Sequence, residues 1–467
     1  MSWLVASIFA ACDGVDEAPA PRPHVDSAAP ADLVTLGGPG LALTFEGEAP
    51  KSVIVYQVDT LRRDRLPWHG GPHDTYPTLT AMDEHLVVVD LNFTVGSWTI
   101  PSSASQFSGL DQPRTRMVTS SGRAVDSGAV LGPGTVNEVF QAAGYSTALI
   151  TGNGLLSEEN GFWQGVDHAE VVLEEPYNSG QLARATEAWL GTVSPETPFY
   201  LHLQPMDAHE PFNGTDFVGT FVDPADLPFE LTTPGQIAKA RLALDALADD
   251  PVAQAAMVEA IRSTYDEELL QTDRALSEIF ASLVANGRLE DTLLILTADH
   301  GEVIADRVND EWRFEHSDSV RPELVHIPLV FYNPRLVGER IDDCIVQNVD
   351  WMPTIAGMLG VGGVPPGIDG ADVTQTCRPW AVSATYAWNA QTGENAMDAA
   401  VVYNSTSAVR GSCRDGGYRF TGYDHLTDPT ELQPLEVGAL PHGPAMQTHL
   451  EEYLQRAADT WAGASCR

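Results

Sequence analysis

Asp299 and His300 stand side by side after the apolar run "LLILT" and directly before Gly301. A carboxylate beside an imidazole suits a divalent ion such as Zn²⁺ or Mn²⁺, and the glycine lets the chain turn sharply enough to aim both side chains into one cavity. Asp59 offers a second carboxylate at the end of another apolar run, "SVIVYQVD". Thr99, within "VGSWTIPSSASQFSGL", offers a hydroxyl on a turn stiffened by Pro101. An alcohol is a weak nucleophile at neutral pH, but coordination by a dication both activates and positions it. The serines that follow start a helix whose free N–H groups can hold an anion. A plainer reading stands beside each residue: the acid as a helix cap, the histidine as a surface group, and the Ser/Thr cluster as an N-cap.

These residues must be carried by an alternation of strands and helices. "SVIVYQVD" is a run of buried-strand length, followed by the polar "TLRRDRL". "YSTALITGN" follows the helical "GTVNEVFQAAG", "PFYLHLQPMDAHEP" follows the helical "GQLARATEAWLG", and "DTLLILTADHGE" follows a long amphipathic stretch from Val258 to Leu289. Such alternation predicts an α/β layer protein with a mostly parallel sheet. Ligands in these sheets bind where strands end, and Asp59, Asn153, Asp207 with His209, and Asp299 with His300 all fall at such ends. Four polar strand ends in one chain point to a shared site.

Composition narrows the partners. The 467 residues carry 65 acidic against 25 basic groups, a formal charge of −40, and only Lys51 and Lys239 are lysines. Nucleic acid is an unsuitable partner for a surface without the cations that phosphates require. The opening "MSWLVASIFAAC" holds an apolar run, Trp3 to Ala11, too short to span a bilayer but fit for a secretory leader. It resembles a lipoprotein signal over residues 1–12 that ends at an acylated Cys12, although it lacks a basic start and has Phe9 where a small aliphatic residue is usual. The expectation is export to the periplasm or cell surface, with membrane contact only through that lipid. Residues 13–50, rich in Ala, Pro and Asp, read as a flexible linker. The other cysteines, Cys344, Cys377, Cys413 and Cys466, are even in number, and two disulfides of unreadable pairing are expected.

The successive blocks "VIVYQVDTLRRDRL", "SWTIPSSASQFSGL", "GYSTALITGNG", "QPMDAHEPF", "YDEELLQTDRALSEIF", "DTLLILTADHGE", "HSDSVRPELVHIPLVFYNP" and "VDWMPTIAGMLG" resemble, in order, those of the sulfatase family within the alkaline phosphatase superfamily. The resemblance runs from about Ser52 to Gly360. It implies a three-layer α/β/α sandwich over residues 51–375, with a small C-terminal subdomain over 376–467.

By that resemblance Asp59, Thr99, Asp299 and His300 hold one divalent ion, Zn, Mn or Ca, and Thr99 is the nucleophile. His209 and His316 face the leaving group, Asn153 and Ser102 contact the substrate, and Asp207 with His209 and His316 is a possible second metal site. The chain departs from the pattern in three places. Thr99 and Ser103 stand where the family has the formylglycine precursor and its arginine. Thr60 replaces an aspartate that binds metal. Asn153 and Leu155 replace a lysine and a histidine. These departures favour hydrolysis of phosphate or phosphonate esters over sulfate esters, the substrate being a small molecule or a glycan. The alternatives are transfer of a phospho-group within the cell envelope, and binding of sulfated or phosphorylated glycans without turnover.

Overall fold

The computed structural model describes residues 33–117, 131–173, 179–214, 216–229, 231, 236–308, 311–317, 319–389, 394–460 and 466. The leader and lipid anchor expected at residues 1–12 lie outside them. No helix among the described residues is long and apolar enough to cross a membrane.

The strand Ser52–Val58 is buried along its whole length. Its side chains alternate between two cores, with Ile54, Tyr56 and Val58 in one and Val53 and Val55 in the other. A β-branched run without polar alternation thus forms a strand covered on both faces. It sits near the middle of an eight-stranded sheet ordered Glu339–Gln347, Leu86–Phe93, Leu329–Tyr332, Thr292–Ala298, Ser52–Val58, Phe199–Gln204, Ser146–Thr151 and His168–Val171. Leu329–Tyr332 is antiparallel to both neighbours, and every other ladder is parallel.

The first core packs under the helices Ser179–Leu190 and Pro251–Ala285 through Leu182, Trp189, Ile261, Leu269 and Leu276. The second packs under Thr99–Ser108, Val136–Ala142 and Trp351–Met358 through Ile100, Phe107, Phe140, Met352 and Ile355. Each fully buried aliphatic side chain contributes about 1.5–3 kcal/mol relative to exposure. The result is the expected α/β/α sandwich around a mostly parallel sheet.

The linker expected over residues 13–50 is corrected at its end. Leu33–Leu36 and Leu43–Glu46 pair as an antiparallel hairpin, and Leu41, Leu43 and Phe45 are buried in the second core. Three apolar side chains two residues apart suffice to bind this segment to the domain, although its overall composition is that of a tether.

After the main sheet, Ala381–Asn389, Glu394–Tyr403, Ser407–Arg414 and Gly417–Asp424 form a four-stranded antiparallel meander. The helix Gly443–Thr460 covers one face through Met446, Leu450 and Leu454. On the other face Val401 and Tyr403 join Phe93, Val303 and Leu324 of the main domain in one cluster. The expected disulfides are present as Cys344–Cys377 and Cys413–Cys466. The first ties the last strand of the main sheet to the chain entering the meander.

Candidate active site

Parallel register brings the polar strand ends together. Val58 is paired with Ala298, so Asp59 and Asp299 leave adjacent strands side by side. The turn after Asp59 is held open by Thr60, which adopts a left-handed backbone with φ 60°. That conformation is costly for a β-branched residue and persists only where its surroundings enforce it. Here Thr60 Oγ1 donates to the Asp59 carbonyl at 2.6 Å and Thr60 N–H to Asp299 Oδ1 at 3.3 Å. The buried Tyr265 hydroxyl donates to the Thr60 carbonyl at 2.9 Å and accepts Arg62 N–H at 2.8 Å.

Thr99 is the first residue of its helix, after an extended Trp98 that provides no side-chain cap. Its Oγ1 is 3.4 Å from Asp59 Oδ2, 3.5 Å from His300 Nε2 and 3.3 Å from Asn153 Nδ2. Gly301 is required by close packing rather than by its dihedral: a Cβ there would lie 2.0 Å from the Glu323 carbonyl. The His300 ring donates through Nδ1 to the Gly301 carbonyl at 2.8 Å. Its Nε2 therefore presents a lone pair toward Asp59 Oδ1 at 3.8 Å and Asp299 Oδ2 at 3.6 Å.

Electrostatics at this point call for a cation. Burial, and then the charge of Asp299, push the Asp59 carboxyl upward, and burial does the same to Asp299. Burial, reinforced by His316, pushes His300 down to about 4, which leaves it neutral and able to ligate. Asp59 Oδ1 is buried without a hydrogen-bond partner among the described residues. Ligand atoms of Asp59, Asp299 and His300 all lie within 4.8 Å of one another. Two crowded carboxylates, a neutral imidazole and an unused oxygen fit a divalent ion. The other carboxylate–histidine group, His73, Glu259 and Asp266, surrounds the guanidinium of Arg65, which reaches Asp266 at 2.5 Å and Glu259 at 3.0 Å.

His209 and His316 also arrive. Their ring centres are 5.1 Å apart, and His316 is 4.5 Å from His300. His209 Nδ1 donates to the Glu210 carbonyl at 2.6 Å. His316 Nδ1 faces Glu302 Oε2 at 3.1 Å. Burial opposes charge on His316, but the Glu302 carboxylate outweighs it and raises the imidazole to about 9.

Two expected residues do other work. Asp207 turns away from the histidines and accepts the backbone N–H of Ser179 at 3.1 Å and also its hydroxyl, at the start of the Ser179–Leu190 helix. A second metal site formed by Asp207, His209 and His316 is therefore not assembled. Ser102 is fully buried and donates to the Asp299 carbonyl. It also meets Thr94 Oγ1 at 2.5 Å and Asn348 Nδ2 at 2.9 Å, so it braces the helix. Asn153 is at the site, its Nδ2 donating to Asp59 Oδ2 at 2.7 Å. Arg62 pairs with Asp64 at 2.7 Å and Asp306 at 2.5 Å.

Two site residues escaped the sequence reading: Glu302 behind His316, and Gln204, whose Nε2 donates to Asp59 Oδ2 at 2.8 Å and to Asp299 Oδ2 at 3.2 Å. Both were marked only by being polar next to a named residue or at the end of an apolar run.

A sulfatase family model matches residues 51–361, about two thirds of the chain and the whole of this site. The chain belongs to the sulfatase family. Among curated relatives of this sulfatase-family chain, an endo-4-O-sulfatase of Bacteroides thetaiotaomicron is 29% identical over 107 residues, which are 23% of this chain and 20% of that protein. The multifunctional alkaline phosphatase superfamily protein PehA of Trinickia caryophylli is 33% identical over 116 residues, 24% and 21% of the two chains. These matches span only about a fifth of either relative's length. Among solved structures, the phosphonate monoester hydrolase of Silicibacter pomeroyi superposes with a TM-score of 0.64 at 18% identity, covering 88% of this chain and 96% of its own. A structure in complex with D-glucosamine-2-N,6-O-disulfate gives 0.64 at 18%, covering 88% and 99%. At that identity they attest the fold.

Proposed function

We propose that this sulfatase-family chain is a metal-dependent hydrolase of sulfate or phosphate and phosphonate esters, with Thr99 as nucleophile. The observation that carries the reading is the position of the Thr99 hydroxyl, within 3.5 Å of His300 Nε2 and 3.4 Å of Asp59 Oδ2 at an uncapped helix start. Asp59, Thr99, Asp299 and His300 would hold the ion. When bound there, a divalent cation lowers the pKa of an alcohol and offsets charge on a non-bridging oxygen. Thr99 Oγ1, its proton lost to water, forms a bond to sulfur or phosphorus in line with the leaving alcohol, whose own bond to that centre breaks. His316 or His209 passes a proton to the departing oxygen. Attack of water then breaks the Thr99 ester and frees the sulfate, phosphate or phosphonate, restoring the hydroxyl. At the start of the helix the Thr99 and Ile100 N–H groups would favour the anion, since Pro101 has none and Ser102 donates to the Trp98 carbonyl at 3.4 Å.

A threonine cannot supply the aldehyde of formylglycine, which favours phosphate and phosphonate esters among the substrates. The relatives include both kinds of enzyme by name. Turnover of nitrophenyl sulfate, phosphate, phosphate diester and phosphonate with added Zn²⁺, Mn²⁺ or Ca²⁺ tests the reading. Thr99→Ala should abolish the preferred activity; a pure Thr99→Ala protein with the wild-type rate would refute the nucleophile.

Export, with acylation of Cys12, is part of the same proposal. Two disulfides support an oxidising compartment, and the apolar run Trp3 to Ala11 supports a leader. Mass spectrometry of the mature N-terminus tests it, and an unmodified, uncleaved Met1 would overturn it.

A further inference from the structure

Gln204 is an unusual last residue for a strand. Phe199–Gln204 is buried throughout, between Ser52–Val58 and Ser146–Thr151, where apolar side chains pack best. Gln204 itself is fully buried, and its Oε1 has no partner among the described residues. An unsatisfied buried carbonyl is destabilising, so an apolar residue here would serve stability better. Its backbone is fixed: Gly152 N–H donates to the Gln204 carbonyl at 2.8 Å, and Asp59 N–H to the next carbonyl, Pro205, at 3.1 Å. The side chain is thus aimed from a rigid strand end at a set place, the cleft between Asp59 and Asp299.

Each carboxylate is oriented by what binds its inner oxygen. Asp59 Oδ2 accepts Asn153 Nδ2 at 2.7 Å and Gln204 Nε2 at 2.8 Å, both closer than the Thr99 hydroxyl at 3.4 Å. Oδ1, without a hydrogen bond among the described residues, is left for a cation. Asp299 is held from the other side, its Oδ1 taking His300 N–H at 2.9 Å and Thr60 N–H at 3.3 Å, while Gln204 reaches Oδ2 at 3.2 Å. Gln204 is the residue that contacts both carboxylates with one amide group. Only its NH₂ end can face two carboxylates, because the carbonyl end would repel them. A glutamate of the same shape would bring a third negative charge into the cleft.

We propose that Gln204 is a positioning residue for the cation: its shared amide fixes the angle between Asp59 and Asp299 and keeps the site at two negative charges, which one dication neutralises. This rests on the functional reading above, in which those two aspartates ligate.

Titration of the metal-free full-length protein with Mn²⁺ by calorimetry tests it, without reference to turnover. Gln204→Met, close in shape but with no donor, should fold and bind Mn²⁺ about 10–100-fold more weakly, the usual cost of losing an outer partner of metal ligands. Asn92→Leu removes another buried amide, one that donates to the Pro328 carbonyl at 3.1 Å, and should bind as wild type does. Gln204→Glu should lower the melting temperature of the metal-free protein and gain more from saturating Mn²⁺ than wild type gains. Wild-type affinity in Gln204→Met, an equal loss in Asn92→Leu, or an equal thermal gain in Gln204→Glu would each overturn the assignment. Failure of the wild-type protein to take up Mn²⁺ or Zn²⁺ would instead refute the cation site itself.

Discussion

His316 Nδ1 lies 3.1 Å from Glu302 Oε2, and the pair is closed off from water on the Glu302 side, where the carboxylate is 1% exposed. Burial alone would push Glu302 up, but His316, aided by His209 and His300, holds it below the usual range. The carboxylate accepts the Nδ1 proton and favours the charged ring, so Nε2 keeps a proton to give to the departing oxygen.

Glu302→Gln should therefore lower kcat by about 10²-fold, the low end of what a positioned acid contributes. The loss should be larger for esters of aliphatic alcohols than for nitrophenyl esters, because a poor leaving group depends more on protonation. Comparing kcat across leaving groups checks this; a uniform loss would mean that Glu302 acts only on the fold.

Tyr265→Phe should weaken the turn that places Asp59. The hydroxyl satisfies both the Thr60 carbonyl and Arg62 N–H. Removing it leaves two buried backbone groups unpaired and should cost about 2 kcal/mol, measured by urea unfolding of the metal-free protein. Mn²⁺ affinity should drop with it, since the strained Thr60 is free to relax.

Cys344→Ser with Cys377→Ser should destabilise the chain without altering Mn²⁺ affinity. The bond closes a loop with a sequence separation of 33 residues, worth about 3–4 kcal/mol if it acts through the entropy of the unfolded chain. Calorimetric melting of the double variant reads the loss.

Asp273→Asn should change how stability depends on pH. Burial, against donation from Thr78, raises the Asp273 carboxyl to about 8. A carboxyl whose pKa is higher folded than unfolded binds its proton more tightly in the native state, so its contribution is favourable below about pH 4, erodes as pH rises, and is fully unfavourable above about 8. The variant lacks this slope. Its stability relative to wild type should thus rise between about pH 4 and 8, as checked by denaturant unfolding at a series of pH values.

The amino-acid order by itself determined the sandwich, because uninterrupted apolar runs such as Ser52–Val58 are stable only when covered on both faces. It also placed Asp59, Asn153, His209, Asp299 and His300 in one region, since parallel strands deliver their ends to one edge, while Thr99 and His316 were placed there only by the family resemblance. What a polar strand end does there was decided only by the tertiary structure. Asp207 and Asp59 look alike along the chain, yet the first caps a helix through Ser179 and the second faces the site. A carboxylate is equally suited to a helix N–H or to a cation, and the choice depends on which group the packing brings within about 3 Å. Ser102 and Thr99 divide in the same way, three residues apart on one helix, one turned to the Asp299 carbonyl and one to His300. Gln204, Glu302, the disulfide pairing and the folded hairpin before residue 50 likewise depend on neighbours distant in sequence, whose approach no local pattern encodes.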